Sequence, residues 1–282
     1  MLRLSITALA LLAVSAPARA DRIAPIASPV ERALRTPVVV VGKVTSIEKD
    51  TIDAPLYPGA TNKVAHKIAV VKIESGLAGA ENITHIKVGF VTAAANLRRG
   101  PDNPELKEGQ EWLFFVSKNA GGEFYGMAYL TPPVESTAPD YKAQVESVKK
   151  ILAAVADPAK AMKAEKAEDR FNAAVAIIYK SRTAPEGTRG ELENVPLAAE
   201  ESRAILKALA EGAWKAEPGG RTLNGYSAFS MLGLGAADGW KPTPAKPGTD
   251  FLEHSRAEFT KWLDGPGKDY RVKKLAPKPA KK

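Results

Sequence analysis

The spacing of apolar residues changes once along this chain, at Pro132-Pro133, and that change restricts it to a β-rich half followed by a helical half. Ahead of the prolines the period is two. Val38 to Val41 is an unbroken valine run from which Val44, Ser46 and Glu48 continue in alternation, so the first strand begins buried on both faces. A loop is expected from Lys49 to Asn62, marked by Asp53, Pro55, Pro58 and Gly59. Val64 to Glu74 reads as a second strand closed by Gly76 and Gly79, and Ile83 to Val91 as a third with one apolar face. Trp112 to Val116 is a fourth, joined through Asn119-Ala120-Gly121-Gly122 to a fifth at Phe124 to Leu130. Short strands with no helical period among the first three predict a closed or partly closed barrel over residues 37–134.

Beyond the prolines the period becomes three and four. Tyr141, Val145, Val148, Ile151, Leu152 and Val155 form one stripe. Asp157-Pro158 supplies a cap and a first-turn proline for a helix carrying Phe171, Ala174, Val175 and Ile178. Residues 183–196 read as a loop. A third helix opens on Glu200 and Glu201 and is expected to turn Ile205, Leu206, Leu209 and Ala213 inward. A short helix over 223–234 and a proline-spaced connector from Lys241 to Gly248 follow. The last helix starts at Asp250 and Glu253 and stops at Gly265-Pro266. The fold class expected is α+β: a five-stranded OB-like β-barrel at 37–134, then an α-helical bundle at 138–265. Residues 21–36 are read as an N-terminal linker.

The first twenty residues have the layout of a cleavable signal peptide: Arg3, an apolar run from Leu4 to Val14, and Ala18-Arg19-Ala20 ahead of the expected cut. An apolar run of 11 residues is too short for a membrane-spanning helix, which needs about 20. The mature chain is therefore expected to be a soluble periplasmic or extracellular protein, with no transmembrane segment after cleavage.

The formal charge of +8 sits at the ends of the chain. Arg3 and Arg19 belong to the leader, and residues 268–282 carry seven cations against Asp269, leaving the body neutral. Residues 266–282 are expected to be a basic, largely disordered tail, with Lys273, Lys274, Lys278, Lys281 and Lys282 as an electrostatic surface for an anionic partner. A neutral body with Phe90 alone as an aromatic on the second and third strands makes nucleic acid a poor partner.

Catalytic motifs are incomplete. Gly225-Tyr226-Ser227-Ala228-Phe229 ends in phenylalanine where a nucleophile elbow needs glycine. Ser147-Val148-Lys149-Lys150 has Ser-x-x-Lys spacing but lies on a lysine-bearing helix face, and its companion motifs are missing. Gly233-Leu234-Gly235-Ala236-Ala237-Asp238 follows a helix instead of a strand and reads as a turn. With zero cysteines and three histidines, thiolate sites and His-Glu-x-x-His zinc sites are excluded. His66 and His85 are positioned to meet across the sheet, but the sequence supplies no third ligand. No metal and no cofactor is expected.

The run Val41-Gly42-Lys43-Val44, the long loop, two further strands and Leu106-Lys107-Glu108-Gly109-Gln110-Glu111-Trp112-Leu113-Phe114-Phe115-Val116 resemble the oligonucleotide/oligosaccharide-binding fold in its secreted, netrin-module-like form. The same barrel builds the tissue inhibitors of metalloproteinases. The resemblance covers residues 37–134 and implies a five-stranded barrel. Those inhibitors chelate the protease zinc through an N-terminal cysteine, so their mode of inhibition does not carry over to a chain without one. The whole chain also resembles exported bacterial proteins in which such a barrel precedes helices, a resemblance that implies no activity.

Small barrels bind through the loops of one rim. The candidate residues are Leu56 and Tyr57, held between prolines in the first long loop, and Arg98, Arg99 and Asp102 in the second, Thr92 to Gly109. The expected function is a non-catalytic binding protein of the cell envelope, its partner an envelope protein or an anionic polymer, with oligomeric state left open. Alternatives are an inhibitor or capture module for an extracellular enzyme, a hydrolase in a cleft between barrel and helices, and carbohydrate or anion binding by barrel and tail together.

Overall fold

The computed structural model describes residues 27–56, 60–91, 104–127, 131–184, 188, 190–215 and 224–278. The leader, Tyr57, Arg98, Arg99, Asp102, Lys281 and Lys282 lie outside them. The described residues form a mixed α+β molecule: strands to residue 135, then mostly helices.

The first described element lies in the segment expected to be linker. Helix α1 (Pro29–Arg35) is started by Ser28, whose hydroxyl accepts from the Glu31 amide at 3.2 Å, with Pro29 in the first turn. Seven residues are too few for a periodicity to show. Arg32, only 7% exposed, ties α1 down. Its Nε donates to the Ala27 carbonyl at 3.0 Å and its terminal nitrogen to the Pro132 carbonyl, while the guanidinium lies 5.0 Å from the Phe115 ring centroid. Burial lowers its pKa to about 10.

Strand β1 (Val38–Pro55) is far longer than its apolar start suggests. The first half of the segment expected as a loop, Lys49 to Pro55, continues the strand, and Thr51 to Pro55 pair with β2 (Lys63–Ala78), down to Pro55 opposite Lys63. Four register irregularities let so long a strand bend, so its beginning pairs with β4 (Glu111–Lys118) while its whole length follows β2. β2 pairs with β3 (His85–Val91), β3 runs parallel to β5 (Tyr125–Met127), and β5 returns to β4. The pairings thus form a closed circuit β1-β2-β3-β5-β4-β1, with β6 (Val134–Glu135) added beside β4.

Alternation along β1 and β4 divides their side chains between two cores. Val38, Val40, Val44, Trp112, Phe114 and Val116 join Val71, Ile86, Val88 and Phe90 in one cluster. Val39, Val41, Leu113 and Phe115 point the other way and share a core with Leu34, Val148, Val175 and Ile178. A four-valine run buried on both faces is what this arrangement requires. The boundary where a cleft was left open as an alternative is filled by these side chains, Val39, Phe115 and Val148 among them fully buried.

The helical half is built on α2 (Tyr141–Ala156), the one-turn α3 (Pro158–Ala161), α4 (Ala167–Arg182), α5 (Ala199–Glu211), α6 (Gly225–Leu232) and α7 (Phe251–Asp264). The helix expected from Asp157 onward is therefore two helices, broken after Ala161. α4 is central, packing on α1, α2, α3, α5 and α6. Trp214, Phe229, Phe259, Trp262, Trp240 and Tyr270 form a continuous aromatic chain beside it.

Two short strands correct the reading of the loop at 183–196 and of the basic tail. β7 (Leu192–Pro196) pairs antiparallel with β8 (Lys273–Pro277), and Val272 just before β8 is fully buried. Residues 273–277 of the tail are therefore strand, and Tyr270 and Val272 anchor the segment. The Tyr270 hydroxyl donates to the Leu232 carbonyl at 2.9 Å, and the Val272 amide donates to Ser202 Oγ at 3.1 Å. Among the described residues no helix is long and apolar enough to cross a membrane.

Candidate functional site

The paired ends of β1 and β2, the end of β3 and the turn between β4 and β5 come together at one end of the circuit. Pro55 is paired with Lys63 at the ends of β1 and β2, and Leu56, which follows Pro55, is half-buried. Three residues further along β2, His66 lies beside both Ile52 of β1 and Val91, the last residue of β3. The segment holding Arg98, Arg99 and Asp102 leaves from Val91, so both predicted loops depart from neighbouring strand ends. The strand register sets only the ends of β1, β2 and β3 side by side; Tyr57, Arg98, Arg99 and Asp102 lie outside the described residues.

The β4–β5 turn, which sequence reasoning treated only as a connection, is the third component. Asn119 donates through Nδ2 to the Pro55 carbonyl at 3.0 Å and accepts from the Gly121 amide through Oδ1 at 2.8 Å. One side chain therefore ties this turn to the hairpin end. Phe124, 1% exposed, fills the space behind it with Ala54 and Ile68. Its ring occupies the volume that side chains at residues 89 and 122 would need: a Cβ on Gly89 would lie 2.3 Å from it and one on Gly122 2.5 Å. The Asn-Ala-Gly-Gly sequence and Gly89 were the available signals, since close backbone approach is what a glycine permits.

His66 is the buried titratable group of this end, 3% exposed, its ring centroid 5.2 Å from that of Phe124. Nδ1 donates to the Val64 carbonyl at 2.9 Å. Burial pulls its pKa below the ordinary value, against smaller upward influences from the Val64 and Ile52 carbonyls and Asp53. His85 is not its neighbour. The register sets His85 opposite Lys72, six residues along β2 from His66, so the two imidazoles do not share a site. Among the described residues no group of three potential metal-ligating side chains occurs. Around His66 and Phe124 the surface is mixed in charge, with Lys63, Lys67, Asp53 and Glu123 exposed.

The remaining candidates have local explanations. Ser147 donates to the Ala143 carbonyl at 2.9 Å on an exposed helix face, as hydroxyls within helices do. Gly235 and Asp238 form a capped turn, the Asp238 carboxylate accepting from the Gly235 amide at 3.1 Å. Of the tail lysines, Lys273 lies 3.7 Å from Asp238 and Lys278 2.7 Å from Glu191, while Lys274 is exposed on β8. A cavity of about 400 Å³ opens between α3, α4 and α5. Arg170 at its wall is engaged by the Ala164 and Glu165 carbonyls at 2.8 and 2.9 Å and by Glu211 at 3.3 Å.

No protein-family model and no curated protein matches the chain.

Proposed function

We propose that this chain is an exported, non-catalytic binding protein whose N-terminal half is an OB-like barrel that engages an envelope partner through its rim. The observation that carries the reading is the convergence at His66: the paired ends of β1 and β2 at Pro55 and Lys63, the end of β3 at Val91 and the β4–β5 turn share one end of the strand circuit. The circuit order itself, with β3 parallel to β5, supports the barrel. Export and cleavage after Ala20 rest on the leader sequence.

The physical role of the locked turn is preorganisation. Asn119 and Phe124 fix the base of the rim, so ordering on binding is confined to the loops themselves and costs less. Tyr57 supplies an amphipathic contact between prolines, and Arg98 and Arg99 supply guanidinium groups for a carboxylate, phosphate or sulfate on the partner. Lys273, Lys274, Lys278, Lys281 and Lys282 form a second, salt-sensitive contact with anionic polymer.

Affinity capture of the tagged chain from its own envelope tests this, at about 0.1 M and about 1 M salt, where screening lengths are about 10 Å and about 3 Å. The expected result is a partner retained at high salt and lost when Tyr57→Ala, Arg98→Ala and Arg99→Ala are combined. Retention of that partner by the triple variant would overturn the rim reading.

A further inference from the structure

We propose that residues 241–247, remote from the rim, are a preformed polyproline-II ligand for a partner groove of aromatic side chains flanked by carboxylates. The segment reads Lys241-Pro242-Thr243-Pro244-Ala245-Lys246-Pro247 and every residue in it is exposed. Prolines fix their own φ near −65°, and the residues ahead of them, Lys241, Thr243 and Lys246, are driven to extended conformations. A left-handed helix with three residues per turn is the conformation both effects favour. In that helix Lys241, Pro244 and Pro247 fall on one face, a cation followed by two prolines.

Exposed extended chain is ordinarily costly to bind because it must first be ordered. This segment is held at three points. At its start the Trp240 amide donates to the Gly235 carbonyl at 3.1 Å, and the Trp240 ring packs edge-on against Phe229 and Trp262. In the middle, the Thr243 amide donates to Glu258 Oε2 at 2.9 Å and His254 Nε2 donates to the Thr243 carbonyl at 2.8 Å. At its end, Lys246-Pro247-Gly248-Thr249 closes a turn through a 3.1 Å bond from the Thr249 amide to the Lys246 carbonyl, with Gly248 at φ +82°. Asp250 then caps α7.

Thr243 carries the central anchor, which leaves Lys241, Pro244 and Pro247 free to be read from outside. A groove of aromatic rings accepts the prolines, and a carboxylate at one end meets Lys241, fixing chain direction. Lys246 adds a second charge of the same sign. Complementarity therefore selects a protein groove bearing acid groups.

The test uses the full chain and, as probe, an isotopically labelled SH3 domain that prefers Lys-x-x-Pro-x-x-Pro peptides, followed by NMR titration. Expected are saturable shifts in the aromatic groove of the probe, weakened about tenfold or more by Pro244→Ala combined with Pro247→Ala and by Lys241→Glu alone. Neither change touches a buried group, and an unchanged melting temperature verifies that the fold persists. Absence of saturable shifts with the wild-type chain would overturn the proposal. So would binding that survives the proline changes and disappears with Lys241→Glu or added salt, which would assign the segment to an anionic polymer.

Discussion

At the scale of single residues, His66 makes the rim sensitive to acid. Its pKa is lowered in the folded chain, so the unfolded chain takes up the proton first, and stability falls as pH drops below the ordinary histidine value of 6.5. Above that value its contribution is fully present. Denaturant titrations between pH 7.5 and pH 5 should show this loss in the wild-type chain and a smaller one in His66→Gln, a range to be read as roughly the ordinary span of histidine titration. Phe124 and Gly89 give a sterically opposed pair. Phe124→Ala should cost about 3–5 kcal/mol by emptying the space behind the turn. Gly89→Ala should cost about 1–3 kcal/mol by forcing the ring aside. Both are read from chemical denaturation midpoints. Gly89 was visible in the sequence only as an interruption of a strand, because its reason lies 35 residues away in Phe124.

At the scale of elements, the sequence is most legible where local pattern and burial agree. The α2 stripe and the Asp250 cap of α7 lie where periodicity and capping chemistry placed them. Elements whose partners are distant were not legible. Lys273–Pro277 is too charged to read as a strand alone, and becomes one because Leu192–Pro196 offers it an edge and Val272 anchors it. Residues 49–53 have Ile52 as their one apolar side chain and read as loop, yet Thr51, Ile52 and Asp53 pair with β2 and the strand runs through them. Deletion of residues 273–282 separates the two readings: loss of β8 should lower the melting temperature by at least about 2 °C for each kcal/mol lost, whereas a loose tail would leave it unchanged. The 241–247 connector has its own pH signature. Lys261 and the Thr243 amide hold Glu258 down at about 2, so the tether's contribution is present above the ordinary carboxylate value of 4.5 and is lost as pH falls towards about 2. Glu258→Gln should flatten that acid limb in a thermal melt series.

At the scale of the whole molecule, strands and helices are one structure because β1 and β4 lend alternate residues to each core. Phe115 and Val39 are the shared wall, and Phe115 also carries the Arg32 guanidinium that fastens α1. Phe115→Ala should therefore lower stability by about 3–5 kcal/mol and loosen both halves in a single transition. Calorimetry showing two separated transitions in the wild-type chain would contradict that coupling. The same wall fills the space between the strand and helix halves, so the proposed binding rim lies instead at the end of the strand circuit marked by His66. Of that rim, the two loops were legible as long, proline- or arginine-bearing interruptions of the strand pattern. The closeness of the strand ends they leave from was not, since it depends on His66 lying beside Val91, and no local signal encodes a register between distant strands. Photo-crosslinking tests the rim account most directly. A photoreactive amino acid at position 57 and, separately, at position 98 should capture the same partner from the envelope, with the same probe at Val195 on β7 as a reference. A common adduct from 57 and 98 that is absent from 195 is the predicted result; different adducts from 57 and 98, or an identical one from 195, would contradict a single binding rim.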